Sequence, residues 1–134
     1  SERGKGGEGI DIKLSKGGLA DIEFLVQVLQ LKDVSMGIGL STFSSLRQLA
    51  EKKILTRSDV RKLLRNYGFL RTMELMIRLN SQSGGAEYPG DKKNRKQLAS
   101  GLGEKSENAL LTRTRRVLLE NRRMFLKALS LAAK

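Results

Sequence analysis

The chain has 134 residues, one domain in size, with no cysteine, no histidine, one proline and a net charge of +12. Disulfides, thiolate metal sites and every Ser-His, Cys-His or histidine-ligated mechanism are therefore excluded from this chain by itself. Aromatics are sparse beside abundant Leu, Arg and Lys, which favours packed helices over a sandwich or barrel.

The first segment, Ser1 to Gly9, holds four glycines among Ser, Glu, Arg and Lys, and reads as a flexible linker cut from something upstream. Residues 10–134 then read as one helical accessory domain. A first helix is expected from about Gly18 to Asp33, with Leu19, Ile22, Leu25, Val26 and Leu29 on its apolar stripe. Glu23, Gln27 and Gln30 share its other face. Val34 to Leu40 is a glycine-bearing loop. A second helix starts at Ser41 as N-cap and turns Phe43, Leu46, Leu49 and Ala50 inward. Ile54 and Leu55 connect it to a capping box, Thr56 to Asp59, that opens a long third helix to about Asn80. Val60, Leu63, Leu64, Tyr67, Leu70, Met73 and Ile77 form its stripe. Ser81 to Asp91, with three glycines and Pro89, is irregular. A short helix from Lys92 to Ser100 stops at Gly101 and Gly103. The last helix spans Glu104 to Leu131, its apolar pairs recurring every seven residues: Leu110/Leu111, Val117/Leu118, Met124/Phe125 and Leu129/Leu131. The expected fold is all-α, a bundle of about five mostly antiparallel helices. No apolar run reaches the ~18 residues of a membrane span and no signal-peptide pattern opens the chain, so a cytoplasmic protein is expected.

Three places invite a functional reading. The last helix carries Arg113, Arg115, Arg116, Arg122, Arg123 and Lys127, a possible rod for nucleic acid or an acidic protein. No aromatic platform interleaves with these charges, so a solvated face with arginine stems over apolar surface is the better account, and nucleic acid is disfavoured. Arg71 and Glu74, three apart on the third helix, make a structural polar pair. The richest stretch is Asp11 to Gln27. Its Gly17-Gly18 pair opens a helix whose first turn carries Asp21 and Glu23, with Lys13 and Lys16 just upstream. Two positions apart, the carboxylates splay by roughly 200° and cannot form a dyad, so no metal site is expected. Lys13 and Lys16, beside backbone amides at the glycine pair, suit a nucleotide phosphate or a neighbouring acidic loop.

Asp11-Ile12-Lys13, Gly17-Gly18-Leu19 and Asp21-Ile22-Glu23-Phe24-Leu25-Val26-Gln27 together resemble a signature of bacterial glutamine synthetase adenylyltransferases. Tyr67-Gly68-Phe69-Leu70-Arg71-Thr72-Met73-Glu74 is similar to that family's Tyr-x-Phe-Leu-Arg-x-x-Glu helix, and Tyr88-Pro89, Leu102-Gly103, Arg115-Arg116 and Met124-Phe125 continue the likeness. The resemblance implies the helical domain that follows a nucleotidyltransferase domain in an enzyme that adenylylates and deadenylylates glutamine synthetase. The family's Gly-Ser-x-x-Asp-x-Asp catalytic motif does not occur here, so no catalytic residue is expected on this chain and no cofactor bound by it alone. ATP and Mg2+ are implied for the full-length enzyme, with glutamine synthetase, the PII protein and the nucleotidyltransferase domain of the same polypeptide as partners. Ala20 replaces an arginine common in the signature, which resembles the carboxy-terminal half of such enzymes. Lys13, Lys16, Gly17, Gly18, Asp21 and Glu23 become candidates for nucleotide-phosphate or domain-interface contacts. PII uridylyltransferases share the Lys-x-x-x-Gly-Gly-Leu-x-Asp core and are the alternative, beside a regulatory module that carries PII or glutamine signals.

Overall fold

A computed structural model describes residues 9–33, 35–36, 40–80 and 85–133. Residues 1–8 of the expected linker 1–9, part of the loop after the first helix and the start of the segment at 81–91 lie outside the described residues. Five helices are present among the described residues: α1 (Leu19–Lys32), α2 (Thr42–Glu51), α3 (Arg57–Asn80), α4 (Lys92–Gly101) and α5 (Glu107–Ala132). The fold is an all-α bundle. An isolated antiparallel bridge between Asp11 and Glu87 ties the chain before α1 to the chain before α4.

The helices start where side-chain oxygens meet orphan amides. Ser41 accepts from Ser44 N, Asp91 from Asn94 N and Ser106 from Ala109 N. Thr56 accepts from Asp59 N as a capping box requires, but the Asp59 carboxylate turns away to Lys127 Nζ on α5, 3.1 Å distant. Two ends close in Schellman motifs. At α4, Gly103 N donates to Ser100 O and Glu104 N to Ala99 O, with Gly103 at φ 73°. This corrects the expected boundaries: α4 runs through Gly101, and Glu104 belongs to the α4 turn, so α5 begins only after Ser106. At α2, Lys53 N donates to Ala50 O and Ile54 N to Leu49 O, which places Lys53 at φ 59° where glycine would be usual.

One core joins all five helices. Ile22, Leu46, Leu63, Leu70, Met73 and Leu110 are fully buried within it. The seven-residue pattern of α5 holds for Leu110, Leu111, Val117, Leu118 and Phe125, but Leu131 is exposed. A straight helix drifts by ~20° per heptad, so the seam has rotated away by the third repeat. Asp59–Lys127 and Asn66–Asn121 contacts show α3 and α5 running antiparallel. Asp21–Arg122 and Phe24–Phe125 contacts show α1 and α5 running parallel. That parallel pair brings the loop before α1 against the middle of α5.

Candidate functional site

The loop Asp11–Gly18 builds itself from local hydrogen bonds. Asp11 Oδ1 accepts from Lys13 N and Leu14 N, both at 2.9 Å, an Asx turn. Ser15 Oγ accepts from Asp11 N at 2.9 Å, and Gly18 N donates to Ser15 O at 2.8 Å. The first amides of α1 fall to the same loop: Leu19 N donates to Ile12 O and Ala20 N to Lys13 O, each at 2.9 Å. Gly18, the N-cap, has no side chain to offer. Asp21, in the first turn, supplies the missing acceptor one residue earlier and takes Gly17 N at 2.6 Å.

Gly17 faces α5, whereas Gly18 is packed against the loop's own backbone. Gly17 is buried at φ 81°, and a Cβ built on it would lie 1.9 Å from Leu118 O. A Cβ on Gly18 would lie 2.6 Å from Ile12 O. Asn121 Nδ2 donates to Gly17 O at 2.8 Å, and Asn121 Oδ1 accepts from Asn66 Nδ2 at 3.0 Å. Asn66 Nδ2 also donates to Glu120 Oε1 at 3.0 Å. On the other flank, Arg122 holds Asp21 Oδ2 at 3.0 Å and lies over the Phe125 ring, 4.8 Å from its centroid. The loop is thus stapled to α5 by one neutral buried chain and one ion pair. Sequence reasoning missed Asn66 and Asn121, and it placed Arg122 on a solvated face rather than against Asp21. A signal existed for the asparagines, since each interrupts an otherwise apolar helical stripe.

Glu23 leaves the loop altogether and accepts from Tyr67 Oη on α3 at 2.8 Å. Burial, reinforced by the Glu23 carboxylate, holds the Tyr67 phenol above its ordinary value. The two segments that carry the family resemblance therefore touch. The second of them is otherwise consumed by packing. Phe43 meets Tyr67 edge-on at 5.0 Å, and the Arg113 guanidinium lies 4.3 Å from the Phe69 centroid. Glu74, buried, is clamped by Arg71 at 2.7 Å and Arg78 at 3.2 Å.

Of the six residues singled out at the loop, only Lys13 and Lys16 remain exposed, with Leu14 between them at 73% exposure. The backbone amides expected beside the lysines are already spent, on Asp21, Ser15, Ile12 and Lys13. No group of three or more carboxylates gathers among the described residues. The donors and acceptors here do not fit a magnesium–nucleotide site within this chain. They fit a rigid loop that presents two ammonium groups and one leucine outward. No described helix is long and apolar enough to cross a membrane.

A family model described as GlnD PII-uridylyltransferase matches residues 2–129. Among curated relatives, the bifunctional glutamine synthetase adenylyltransferase/adenylyl-removing enzyme of Streptomyces coelicolor is 36% identical over 100 residues, covering 72% of this chain and 10% of the relative. The enzyme of that name in Burkholderia mallei is 32% identical over 121 residues, 88% of this chain and 12% of the relative. In Corynebacterium diphtheriae the figure is 42% over 74 residues, 52% of this chain and 7% of the relative. The chain thus spans about a tenth of the length of the relatives that match most of it.

Proposed function

The chain belongs to the family described by the GlnD PII-uridylyltransferase model, and from that membership we propose that it works as a non-catalytic helical domain beside a nucleotidyltransferase domain. Its relatives' names point to glutamine synthetase as the protein modified by the whole enzyme. The proposal extends to PII as regulator, to ATP and Mg2+ bound by the catalytic domain, and to the cytoplasm as the place of action. The domain corresponds to residues 10–134, and Ala20 favours the carboxy-terminal, adenylylating half. Residues 10–134 act by presenting the loop Lys13–Lys16 to the catalytic cleft. Lys13 and Lys16 meet a carboxylate of that domain or a nucleotide phosphate, while Gly17, Gly18 and Asp21 hold the loop in place and Glu23 locks α1 to α3.

The observation that carries this reading is the loop itself: satisfied internally, pinned to α5, and outward only through two lysines and Leu14. Replacing Lys13 by Ala in the full-length enzyme should weaken adenylylation or nucleotide affinity while the helical content is kept. Unchanged kinetics and affinity for both Lys13→Ala and Lys16→Ala would sink it. A PII uridylyltransferase-type role is the second reading, because the matching family model carries that description. Assaying the full-length enzyme with glutamine synthetase and with PII as acceptor separates the two.

A further inference from the structure

α5 buries Leu110, Thr114, Val117, Asn121, Phe125 and Ala128. Its outward line, stepping by four and three residues, reads Thr112, Arg116, Leu119, Arg123, Leu126 and Ser130. Leu119 and Leu126 are 55% and 52% exposed. Seven residues apart, they sit about 10.5 Å from one another along the axis. Arg116 and Arg123 repeat at the same interval.

A single exposed leucine is ordinary. This line differs because its charges are also left over. Arg113, Arg122 and Lys127 of α5 are paired with Glu104, Asp21 and Asp59. Arg116 and Arg123 make no ion pair among the described residues. The carboxylates of α5 point elsewhere, Glu107 to Arg95 and Glu120 to Asn66 and Arg65. Leucines at heptad spacing, flanked by one sign of charge, are the pattern by which one helix packs on another and selects its partner.

We propose that this face of α5 docks an acidic amphipathic helix from outside this chain. Leucine-sized side chains of that helix would pack around Leu119 and Leu126, with glutamates opposite Arg116 and Arg123. Charge complementarity selects this occupant over a second copy, since two copies, each at +12, would set arginine against arginine. The proposal goes beyond the role of the Lys13 loop and does not depend on it.

The test uses a 21-residue lactam-bridged helical peptide with leucine along one line and glutamate beside it, titrated by fluorescence anisotropy. The chain should bind it saturably, one to one. Leu119→Ser/Leu126→Ser and Arg116→Glu/Arg123→Glu should each weaken binding roughly tenfold or more, with circular dichroism unchanged. The charge-reversed variant should regain affinity for the same peptide carrying lysine in place of glutamate. The proposal falls if polyglutamate of equal charge binds as tightly as the helix, if the native chain does not bind the peptide, or if charge reversal leaves binding intact. It falls as well if the native chain sediments as a dimer that Leu119→Ser/Leu126→Ser dissociates, which would give the face to a second copy.

Discussion

At the residue scale, backbone conformation and close approach separate glycines that look alike. Gly17 and Gly103 both have positive φ, but a Cβ on Gly103 meets nothing within 4 Å, whereas on Gly17 it meets Leu118 O at 1.9 Å. Gly103→Ala should therefore cost about 1 kcal/mol, and Gly17→Ala ~3 kcal/mol or more, as overpacking against backbone adds to the left-handed penalty. Urea unfolding of the two variants reads the difference directly. Lys53 is the converse case: at φ 59° it stands where glycine is unstrained, so Lys53→Gly should stabilise the protein by about 1 kcal/mol. Tyr88 is buried, its Oη has no hydrogen-bond partner among the described residues, and burial pushes its phenol up to about 12. The folded state keeps that proton longer than the unfolded chain does. Its contribution to stability is complete below the ordinary value of 10.0 and is lost as pH rises from there to about 12. Tyr88→Phe should remove this high-pH loss, visible as a missing late step in tyrosinate absorbance, and leave neutral-pH stability unchanged or higher. The glycine pair was legible in the sequence as a tight turn. Which backbone Gly17 would press against was not, because Leu118 lies about a hundred positions away.

At the element scale, apolar stripes and caps place the helices, and buried polar groups decide how they are joined. Ser41 acts as the cap where the sequence pattern puts it, Asp91 caps α4 without having been singled out, and the stripes of α1 and α3 are buried along the expected residues except Leu64, which is half-buried. The α4–α5 boundary shifted because Glu104 N is drawn back to Ala99 O, a competition between cap and turn that periodicity does not register. The Asn66–Asn121–Gly17 chain joins α3, α5 and the loop before α1. Asn121→Ala leaves Gly17 O buried with its partner removed and the Asn66 amide with Glu120 alone, an expected loss of ~2–4 kcal/mol. Asn66→Ala/Asn121→Ala should cost less than the sum of the single changes, because the same bond is removed in both. A double-mutant cycle in urea measures the shortfall, and strict additivity would mean that the two asparagines act apart.

At the scale of the whole molecule, the excess of Lys and Arg opposes compactness. Ion pairs such as Arg122–Asp21 and Lys127–Asp59 offset only part of it, and at partly exposed sites each contributes little. Added sodium chloride screens the remaining repulsion, so the melting temperature should rise between low and moderate ionic strength. A fall would mean that the ion pairs outweigh the net charge. Composition, helical period and cap residues are local properties, and they determined the all-α class and the five helices and singled out the stretch from Asp11 to Gln27 as a candidate. Direction and partnership are properties of the packed whole. Only the tertiary structure turned Gly17 onto α5, gave Glu23 to Tyr67 and Asp21 to Arg122, and left Lys13, Leu14 and Lys16 to face outward. The reason is physical: a hydrogen bond or a van der Waals approach between residues a hundred positions apart has no period in the sequence, and exists only once the shared core has set the helices side by side.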